Sequence, residues 1–418
     1  MIIISSLAGI TIASSIIIFL ILLLLLVSIL LFAKNKLLPS GDINITINNG
    51  VKDIIVKSGN SLLSTLSENK IFIPSACGGG GTCGMCKCQI DNGAGEILPT
   101  ETGHFTRKEI NDNWRLACQV KVKDNIEIQI PKDIMGVKKW ECEVISNRNV
   151  ATFIKEFVVK LPEGETLDFK SGGYIQIDVP KIDVDFKTMI IDNEYRDDWE
   201  KMGLFNLKMK NPEPTYRAYS MANHPAEGNI VMLNIRIATP PLNNKREFEN
   251  INPGVCSSFI FSRKPGDKVM ISGPYGEFFI KDTNKEIMFI GGGAGMAPMR
   301  SHIFHLFKTA KTGRKTTFWY GARSMKEVFY KEEFDQIAKD FPNFEWHLAL
   351  SEPMPEDNWT GPTGFIHQVI LDNYLNKHEE PEEIEYYLCG PPMMNSAVNN
   401  MLYNLGVPNE MIAFDDFG

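Results

Sequence analysis

The chain has 418 residues, which at roughly 150 residues per domain predicts two to four domains and excludes a single small fold. Hydrophobic residues make up 44% and charged residues 22%, which excludes both a disordered chain and a polytopic membrane protein. The formal net charge of −8 has the wrong sign for a protein that grips phosphate backbones, so we expect no nucleic-acid partner.

The first predicted element is a long apolar segment, Ile2 to Ala33, which contains no charged residue. A helix needs about 20 apolar residues to cross a bilayer, and the apolar region of a signal peptide is shorter, about 7 to 15 residues. We interpret the segment as an uncleaved transmembrane anchor; a cleaved signal peptide is the alternative. Lys34 and Lys36 follow directly, which places the rest of the chain in the cytoplasm by the positive-inside rule. Pro39, Ser40 and Gly41 form a short linker.

A β-rich stretch follows the linker. Asp42–Asn48 alternates apolar and polar residues, Val51–Val56 is a β-branched run, and Asn48-Asn49-Gly50 between them predicts a hairpin turn. Ser61 is placed to cap a short helix from Leu62 to Asn69. Strand patterns return at 87–90 and 126–130, so we expect a compact β-rich domain that ends near Pro131.

Four cysteines in this stretch, Cys77, Cys83, Cys86 and Cys118, carry the strongest chemical signal. Two irons of a [2Fe–2S] cluster each take two thiolates, and the glycines at 78–81 and 84 let the backbone approach the bridging sulfides. Structural zinc is the alternative, but zinc ribbons pair two C-x₂-C knuckles and only Cys83 and Cys86 form one here. Cys88 alternates with Cys86 along a strand, which predicts a packed thiol and not a ligand. Eight cysteines are too few for a disulfide scaffold and favour a reducing compartment.

This cysteine pattern resembles the plant-type and vertebrate-type ferredoxins from Asp42 to Pro131. Five residues separate Cys77 from Cys83, where the plant pattern has four, so the spacing is closer to the vertebrate type. The resemblance implies a β-grasp ferredoxin-like domain that holds a [2Fe–2S] cluster.

The second strand-rich block runs from Glu141 to about Ile280, with glycine and proline turns at intervals typical of an antiparallel barrel. It contains Arg217, Tyr219 and Ser220, which fit the cation, the aromatic face and the small hydroxyl that a flavin needs. Ordinary cross-strand packing is the alternative. A later turn with Gly254, Ser257 and Ser258 offers backbone donors to a phosphate. The block resembles the ferredoxin-reductase superfamily, in which this segment holds FAD.

The third block repeats short apolar strands at 287–290, 316–320, 344–350 and 384–389 with helices between them, which predicts a doubly wound parallel sheet. The first strand ends in a glycine turn that starts a helix and would direct N–H groups toward a pyrophosphate; a plain tight turn is the alternative. The cofactor-binding candidates at this turn are Gly292, Gly293, Gly295, Met296 and Pro298.

In the same superfamily a Cys-Gly-Pro segment lies against the nicotinamide and a carboxyl-terminal aromatic residue covers the flavin. The resemblance gives these places to Cys389, with Gly390 and Pro391, and to Phe417. It also implies that Asp415 or Asp416 orients the hydroxyl of Ser220. A merely buried thiol remains the alternative for Cys389.

The predicted organisation is multidomain α+β and α/β. We expect a transmembrane anchor over 1–36, a ferredoxin-like [2Fe–2S] domain over 37–131, an FAD-binding β-barrel over 132–282 and an NADH-binding domain over 283–418. The whole chain resembles the family of F subunits of bacterial Na⁺-translocating NADH:quinone reductases. That family implies NADH oxidation through FAD and the cluster, other membrane subunits as partners, ubiquinone as the final acceptor, and a single-pass protein of the inner membrane with cytoplasmic domains. A reductase component of a multicomponent oxygenase and a membrane-tethered redox sensor are the alternatives.

An excursion from Lys181 to Pro214 separates two of the predicted barrel strands and is rich in charged residues. Loops longer than about 15 residues in compact domains are usually functional or disordered. Trp199, Met202, Leu204 and Phe205 give this one an apolar cluster, so we hypothesise that it docks onto a neighbouring subunit.

Overall fold

The computed structural model describes residues 2–37 and 42–415. Its contacts divide the chain into two compact units. The first unit runs up to Pro74 and continues over Gly79–Met135, and the second comprises Ser75–Gly78 and everything from Gly136 onward. The two blocks predicted to bind FAD and NADH therefore share one unit, while the three predicted boundaries near residues 36, 131 and 282 stay predictions.

The amino-terminal segment forms helix α1 (Ile2–Leu37). Its side chains are described at residues 14–30 and 32, and all of these are exposed. Within the described residues, no helix reaches the length and apolarity required to cross a membrane. The predicted linker, Pro39 to Gly41, lies outside the described residues.

The remainder of the first unit is a five-stranded mixed sheet with the order β2-β1-β5-β3-β4. Strands β1 and β5 run parallel, and the other neighbours are antiparallel. The apolar side of α2 packs with the sheet residues in one core, and this mixed sheet with its helix fits the ferredoxin-like expectation. The elements are β1 (Asp42–Ile47), β2 (Lys52–Lys57), α2 (Leu62–Glu68), β3 (Lys87–Asn92), α3 (Pro99–Thr102), α4 (Arg107–Asn111), β4 (Trp114–Leu116) and β5 (Ile126–Gln129).

Local sequence signals account for the β1–β2 hairpin and for the start of α2. Asn48 and Asn49 both adopt positive φ, of 51° and 58°, as a tight hairpin between β1 and β2 requires, and Gly50 follows with a φ of 87°. The hydroxyl of Ser61 accepts a hydrogen bond from the backbone N–H of Ser64 and so caps α2. The predicted hairpin and helix cap are both confirmed.

The second unit begins with a six-stranded antiparallel sheet in the order β11-β8-β13-β6-β7-β12. The prediction of a closed barrel is wrong for the described residues, because the edge strands β11 and β12 share no ladder. Only an isolated bridge between Met221 and Leu233, just past the end of β11, links the two edges. The elements of this block are β6 (Lys138–Ala151), β7 (Ile154–Lys160), β8 (Tyr174–Val179), β9 (Ile182–Asp185), α5 (Asn193–Lys201), β10 (Lys208–Asn211), β11 (Thr215–Ser220), β12 (Ile230–Arg236), α6 (Val255–Ser262) and β13 (Lys268–Tyr275).

The excursion from Lys181 to Pro214 is folded: β9 and β10 pair antiparallel, and α5 lies between them in sequence. Trp199 and Leu204 are 0% exposed and belong to the core of the second unit. Phe205 is partly buried against that core, and only Met202 of the predicted apolar cluster is exposed. The cluster is therefore used inside the unit, so it does not offer the docking surface that the sequence suggested.

The last block is a five-stranded parallel sheet in the order β16-β15-β14-β17-β18, as predicted. Ile287 and Phe289 of the central strand β14 pack on one side with α7 and α8, while Met288 and Ile290 pack on the other with α9 and α10, so the sheet is doubly wound. The elements are β14 (Ile287–Gly292), α7 (Met296–Phe304), β15 (Thr316–Ala322), α8 (Lys331–Asp340), β16 (Phe344–Leu350), α9 (Ile366–Asn373), β17 (Glu385–Cys389), α10 (Pro392–Asn404) and β18 (Ile412–Asp415).

Candidate functional site

Three of the four predicted cluster ligands, Cys83, Cys86 and Cys118, lie in the first unit. Cys86 and Cys118 are 1% and 7% exposed. A hydrogen bond with Cys118, together with burial, raises the pKa of the Cys86 thiol above its usual range. These two thiols thus lie side by side in a dry environment, where a metal cation would be needed to hold both as thiolates. Cys77 belongs to the stretch Ser75–Gly78, which groups with the second unit.

The glycines around these cysteines provide room and an unusual backbone. Gly79, Gly81 and Gly84 have φ values of 90°, 78° and 68°, a conformation that side chains disfavour. Among the described residues, no group of three or more His, Cys, Asp or Glu side chains surrounds a position for a metal ion. A [2Fe–2S] cluster asks each iron for only two thiolates, so the pairing of Cys86 with Cys118 and the glycine loop fit that group.

A buried ion pair that sequence reasoning missed supports the chain ahead of Cys118. The Arg115 guanidinium lies 2.7 Å from the Glu101 carboxylate, and both side chains are buried. Burial alone would raise the pKa of Glu101, but hydrogen bonds from Arg115 and from the backbone N–H groups of Leu98 and Leu116 hold it below its usual value. No local pattern links two residues so far apart in sequence.

Cys88 is fully buried on β3, and burial raises its pKa to about 12. Its thiol approaches the carbonyl oxygen of Arg115 at 3.9 Å. The prediction of a packed thiol is confirmed by this placement.

The predicted flavin residues lie on β11 beside the first turn of α6. Tyr219 hydrogen-bonds the thiol of Cys256 in that turn, and burial raises the pKa of the Tyr219 hydroxyl. Burial also raises the pKa of Cys256 to about 12, while the hydrogen bond from Tyr219 and the positive charge of Arg217 act in the opposite direction. Strand and helix thus bring the predicted cation and aromatic ring to the start of one helix.

Helix α6 begins at Val255 after Gly254, and no side chain caps it. Its first N–H groups have no acceptor within the helix, which is the arrangement that binds a pyrophosphate. The hydroxyl of Ser257 is already engaged, since it donates to Gly254 O and accepts from Ala238 N. Ser258 is buried, and its hydroxyl has no hydrogen-bond partner among the described residues. These features fit an anionic cofactor at the position that the sequence predicted.

Ser220, Asp415 and Cys389 converge at the carboxyl end of the parallel sheet. The Ser220 hydroxyl donates a hydrogen bond of 2.6 Å to Asp415 Oδ2, although the two residues are 195 positions apart. Asp415 in turn lies opposite Cys389 in the register of β17 and β18. Asp416 and Phe417, which the sequence also singled out, lie outside the described residues.

The glycine turn after β14 meets the Cys389 segment through backbone contact. A Cβ at Gly295 would lie 2.0 Å from the carbonyl oxygen of Cys389, and one at Gly292 would lie 3.4 Å from Pro391 Cδ. A Cβ at Gly390 would likewise meet the Met394 side chain at 2.3 Å. The two glycine-containing motifs predicted from sequence therefore pack directly against each other.

A cavity of about 390 Å³ opens beside this contact and is lined by Gly292, Gly293 and Pro391. Met296 and Pro298 are buried in the first turn of α7 and do not contribute to the cavity wall. Sequence reasoning missed the charged and aromatic residues of the wall, which come from separate segments of the chain: Arg236, Arg323, Glu327, Phe365 and His367. Of these, Arg323 directly follows β15 and is the third residue after the strand predicted at 316–320, which is the one local signal for it.

Three family models match the chain in sequence. They are the 2Fe-2S iron-sulfur cluster binding domain over residues 45–123, the oxidoreductase FAD-binding domain over 201–280 and the oxidoreductase NAD-binding domain over 289–400. Each match contains predicted residues for the corresponding group, while the predicted residues of the carboxyl terminus, Asp415 to Phe417, lie beyond the last match.

Full-length relatives decide the family. The F subunit of the Na(+)-translocating NADH-quinone reductase of Actinobacillus pleuropneumoniae is 57% identical over 93% of this chain and 95% of its own length. The chain belongs to this family of F subunits. Its relatives from Psychrobacter arcticus and Pseudomonas aeruginosa are 56% and 55% identical, each over 94% of this chain and 95% of their own length.

Solved structures similar to this chain share its fold. An Amycolatopsis cytochrome P450 reductase is 20% identical with a TM-score of 0.61, and covers 90% of this chain and 98% of its own. A ferredoxin reductase in carbazole 1,9a-dioxygenase is 24% identical with a TM-score of 0.59, and covers 90% of this chain and 99% of its own. At these identities the likeness concerns the fold alone.

Proposed function

We propose that the chain is the NADH-oxidising electron-input subunit of a Na⁺-translocating NADH:quinone reductase. NADH delivers two electrons as a hydride, and FAD held by this chain would supply the chemistry that converts this pair into single electrons for the [2Fe–2S] cluster. The other membrane subunits of the complex and ubiquinone lie downstream. The names of the full-length relatives and the three cofactor-binding family models support this function over an oxygenase reductase or a redox sensor.

The observation that carries the residue assignment is the convergence of Ser220, Asp415 and Cys389. Asp415 Oδ2 accepts a hydrogen bond from the Ser220 hydroxyl, which fixes the direction of that hydroxyl. A fixed hydroxyl can orient the reacting ring of the flavin, and the buried thiol of Cys389 can form the wall against which the nicotinamide packs. Arg217, Tyr219 and the first turn of α6 then hold the FAD pyrophosphate and ring.

We assign the dinucleotide to the cavity beside the glycine turn. Its wall combines Gly292, Gly293 and Pro391 with the positive charges of Arg236 and Arg323, which suit an anionic pyrophosphate. The exposed ring of Phe365, stacked on His367 with ring centroids 6.2 Å apart, offers a flat apolar surface for a base.

Single-turnover reduction of the bound flavin by NADH tests the assignment. Ser220→Ala and Cys389→Ala should retain FAD yet lower the reduction rate or the apparent affinity for NADH. Wild-type rates and affinities in both variants would refute the proposed roles.

We further propose that Cys77, Cys83, Cys86 and Cys118 are the four ligands of the cluster, and that α1 is a single-pass anchor with the other domains in the cytoplasm. The uncharged segment Ile2 to Ala33 and the two lysines after it support the anchor. Carbonate extraction of membranes tests it: a full chain that is released into the supernatant would contradict a membrane-spanning helix.

A further inference from the structure

The excursion between β8 and β11 is hydrogen-bonded to the hairpin formed by the end of β6, the turn after it and the start of β7. Asp192 exchanges two hydrogen bonds with Asn149, at 3.1 and 3.3 Å. The indole N–H of Trp199 donates a bond of 2.7 Å to the carbonyl oxygen of Thr152. The buried ammonium of Lys155 donates to Ile190 O at 2.6 Å. Helix α5 is thus held firmly from the side of the antiparallel sheet.

A second set of contacts joins α5 to the parallel-sheet block. Lys326 Nζ lies 2.5 Å from Asp198 Oδ2, and the two side chains are only 25% and 34% exposed. The same ammonium lies 5.5 Å from the ring centroid of Tyr195, which is also on α5. Lys326 belongs to a single 3₁₀ turn, Met325–Glu327, which follows β15, and the backbone N–H of Met325 donates to Asp357 Oδ2 at 3.1 Å.

That turn supplies part of the cavity wall. Glu327 lines the cavity together with Ile154 and Arg236. Its carboxylate accepts a hydrogen bond from the Thr152 hydroxyl, and Thr152 is the residue whose carbonyl oxygen binds Trp199. The ion pair therefore joins the turn to α5, and the Glu327 hydrogen bond joins it to Thr152, the residue that α5 binds.

We propose that α5 is a positioning element for the nicotinamide dinucleotide and that it acts through the Asp198–Lys326 pair, which sets the place of Glu327 in the cavity wall. This inference rests on the proposed function, since it takes the cavity to be the NADH site. Asp198 and Lys326 are positioning residues and not catalytic ones, because neither lines the cavity. The loop that looked like a docking segment is then part of the substrate site.

The test uses the full-length protein purified in detergent, with NADH as substrate and ferricyanide as acceptor. Lys326→Met and Asp198→Asn should each raise the KM for NADH by about threefold to tenfold, the effect of one or so kcal/mol at a partly buried ion pair, and leave kcat and FAD content near wild type. Lys326→Arg should keep the wild-type KM, and the exchange of Asp198→Lys with Lys326→Asp should restore it at least in part. A merely structural role would lower FAD content and kcat as well.

Glu200→Gln is the matched control, because it breaks the exposed Arg196–Glu200 pair on the same helix, whose partners are 49% and 55% exposed. Its KM should stay at the wild-type value. An unchanged KM in both Lys326→Met and Asp198→Asn would overturn the positioning role, and so would an equal rise in Glu200→Gln.

Ala397→Phe separates this inference from the proposed function, since Ala397 lines the cavity on α10 and a phenyl group there would occupy part of its volume. A raised KM in Ala397→Phe without any change in the two ion-pair variants would overturn the positioning role alone. An unchanged KM in Ala397→Phe would remove NADH from the cavity, and the positioning role would fall with it.

Discussion

The two glycine-rich segments of the chain solve different physical problems. In the cysteine loop of the first unit, Gly79, Gly81 and Gly84 all have positive φ, so glycine is needed there for backbone handedness. In the turn before α7, Gly295 has an ordinary φ of −61°, but a Cβ there would lie 2.0 Å from the Cys389 carbonyl oxygen. Glycine is needed at that position for space.

This difference shows what a glycine run can and cannot reveal. A run signals that a side chain would be harmful. At Gly79 the harm is local and comes from the backbone φ, whereas at Gly295 it comes from contact with Cys389, which is 94 positions away. A loop that is unusual in its own backbone suits an inorganic cluster, whereas a turn pressed against another strand suits the joining of two parts of one site. Substitutions that separate handedness from space can test the distinction.

The largest expected effect comes from removing one of the proposed cluster ligands in the cysteine loop. Cys86→Ala should abolish the cluster and reduction of quinone by the assembled complex, because the second electron-transfer centre is lost. FAD content and NADH oxidation with ferricyanide should persist, since they need only the second unit. The visible spectrum would report loss of the iron-sulfur bands with flavin bands retained; equal loss of both activities would instead indicate a structural role for the metal.

The next effect contrasts two glycines of the second segment. Gly295→Ala should lower NADH oxidation about 100-fold, because the turn or the Cys389 strand must shift by the order of 1 Å. Gly293→Ala should lower NADH oxidation far less, because the nearest atom to a Cβ at this position, Ile154 Cδ1, is 4.0 Å away. The φ of 57° at Gly293 costs alanine about 1–2 kcal/mol in folding free energy. Steady-state kinetics of both variants measure the contrast, and a larger loss in Gly293→Ala would reverse it.

Much of the fold followed from sequence because its signals are local. Three features depend only on neighbours within a few residues and were predicted at their observed positions. They are the Asn48-Asn49-Gly50 turn, the Ser61 cap and strand β14, which precedes the glycine turn. The expected barrel was not found, since closure depends on whether two distant edge strands meet, and turn spacing does not encode that.

The candidate site was predictable to the same extent. Ser220, the glycine turn and Cys389 were recognised because each lies in a short motif, and the three motifs follow one another in the order that the resembling superfamily has. Glu101, Lys326 and Glu327 were not, since a charged residue on a surface and one paired across the fold look alike in sequence. The docking interpretation of Trp199 was wrong. An apolar residue in a charged loop suggested contact with another subunit, but the indole N–H of Trp199 donates to the carbonyl oxygen of Thr152.

A smaller effect concerns the Ser220 hydroxyl, which links the antiparallel sheet to the parallel sheet through its hydrogen bond to Asp415. Ser220→Ala and Asp415→Asn should each slow flavin reduction by NADH about tenfold, the effect of one hydrogen bond of about 1.4 kcal/mol. Ser262→Ala is the control, because its hydroxyl donates to Phe259 O and accepts from Arg263 at the carboxyl end of α6, and its loss should leave the rate unchanged. Stopped-flow absorbance of the flavin gives the rates; wild-type rates in both site variants would show that the Ser220–Asp415 bond only supports the fold.

The smallest effect tests handedness alone, at Gly79. A Cβ there would meet nothing closer than Leu63 Cδ2 at 3.7 Å, so space is available and only the φ of 90° opposes a side chain. Gly79→Ala should then destabilise the first unit by about 1–2 kcal/mol, while Gly79→Asn should cost less, because asparagine tolerates the left-handed region better than alanine does. At Gly295 the order should invert, since the larger side chain brings more atoms toward the Cys389 backbone. Thermal unfolding followed by the iron-sulfur absorbance for the Gly79 pair, and NADH oxidation for the Gly295 pair, measure the two orders. If alanine were better tolerated than asparagine at Gly79, backbone handedness would not be what that loop requires of its glycines, and the comparison between the two segments would reduce to space in both.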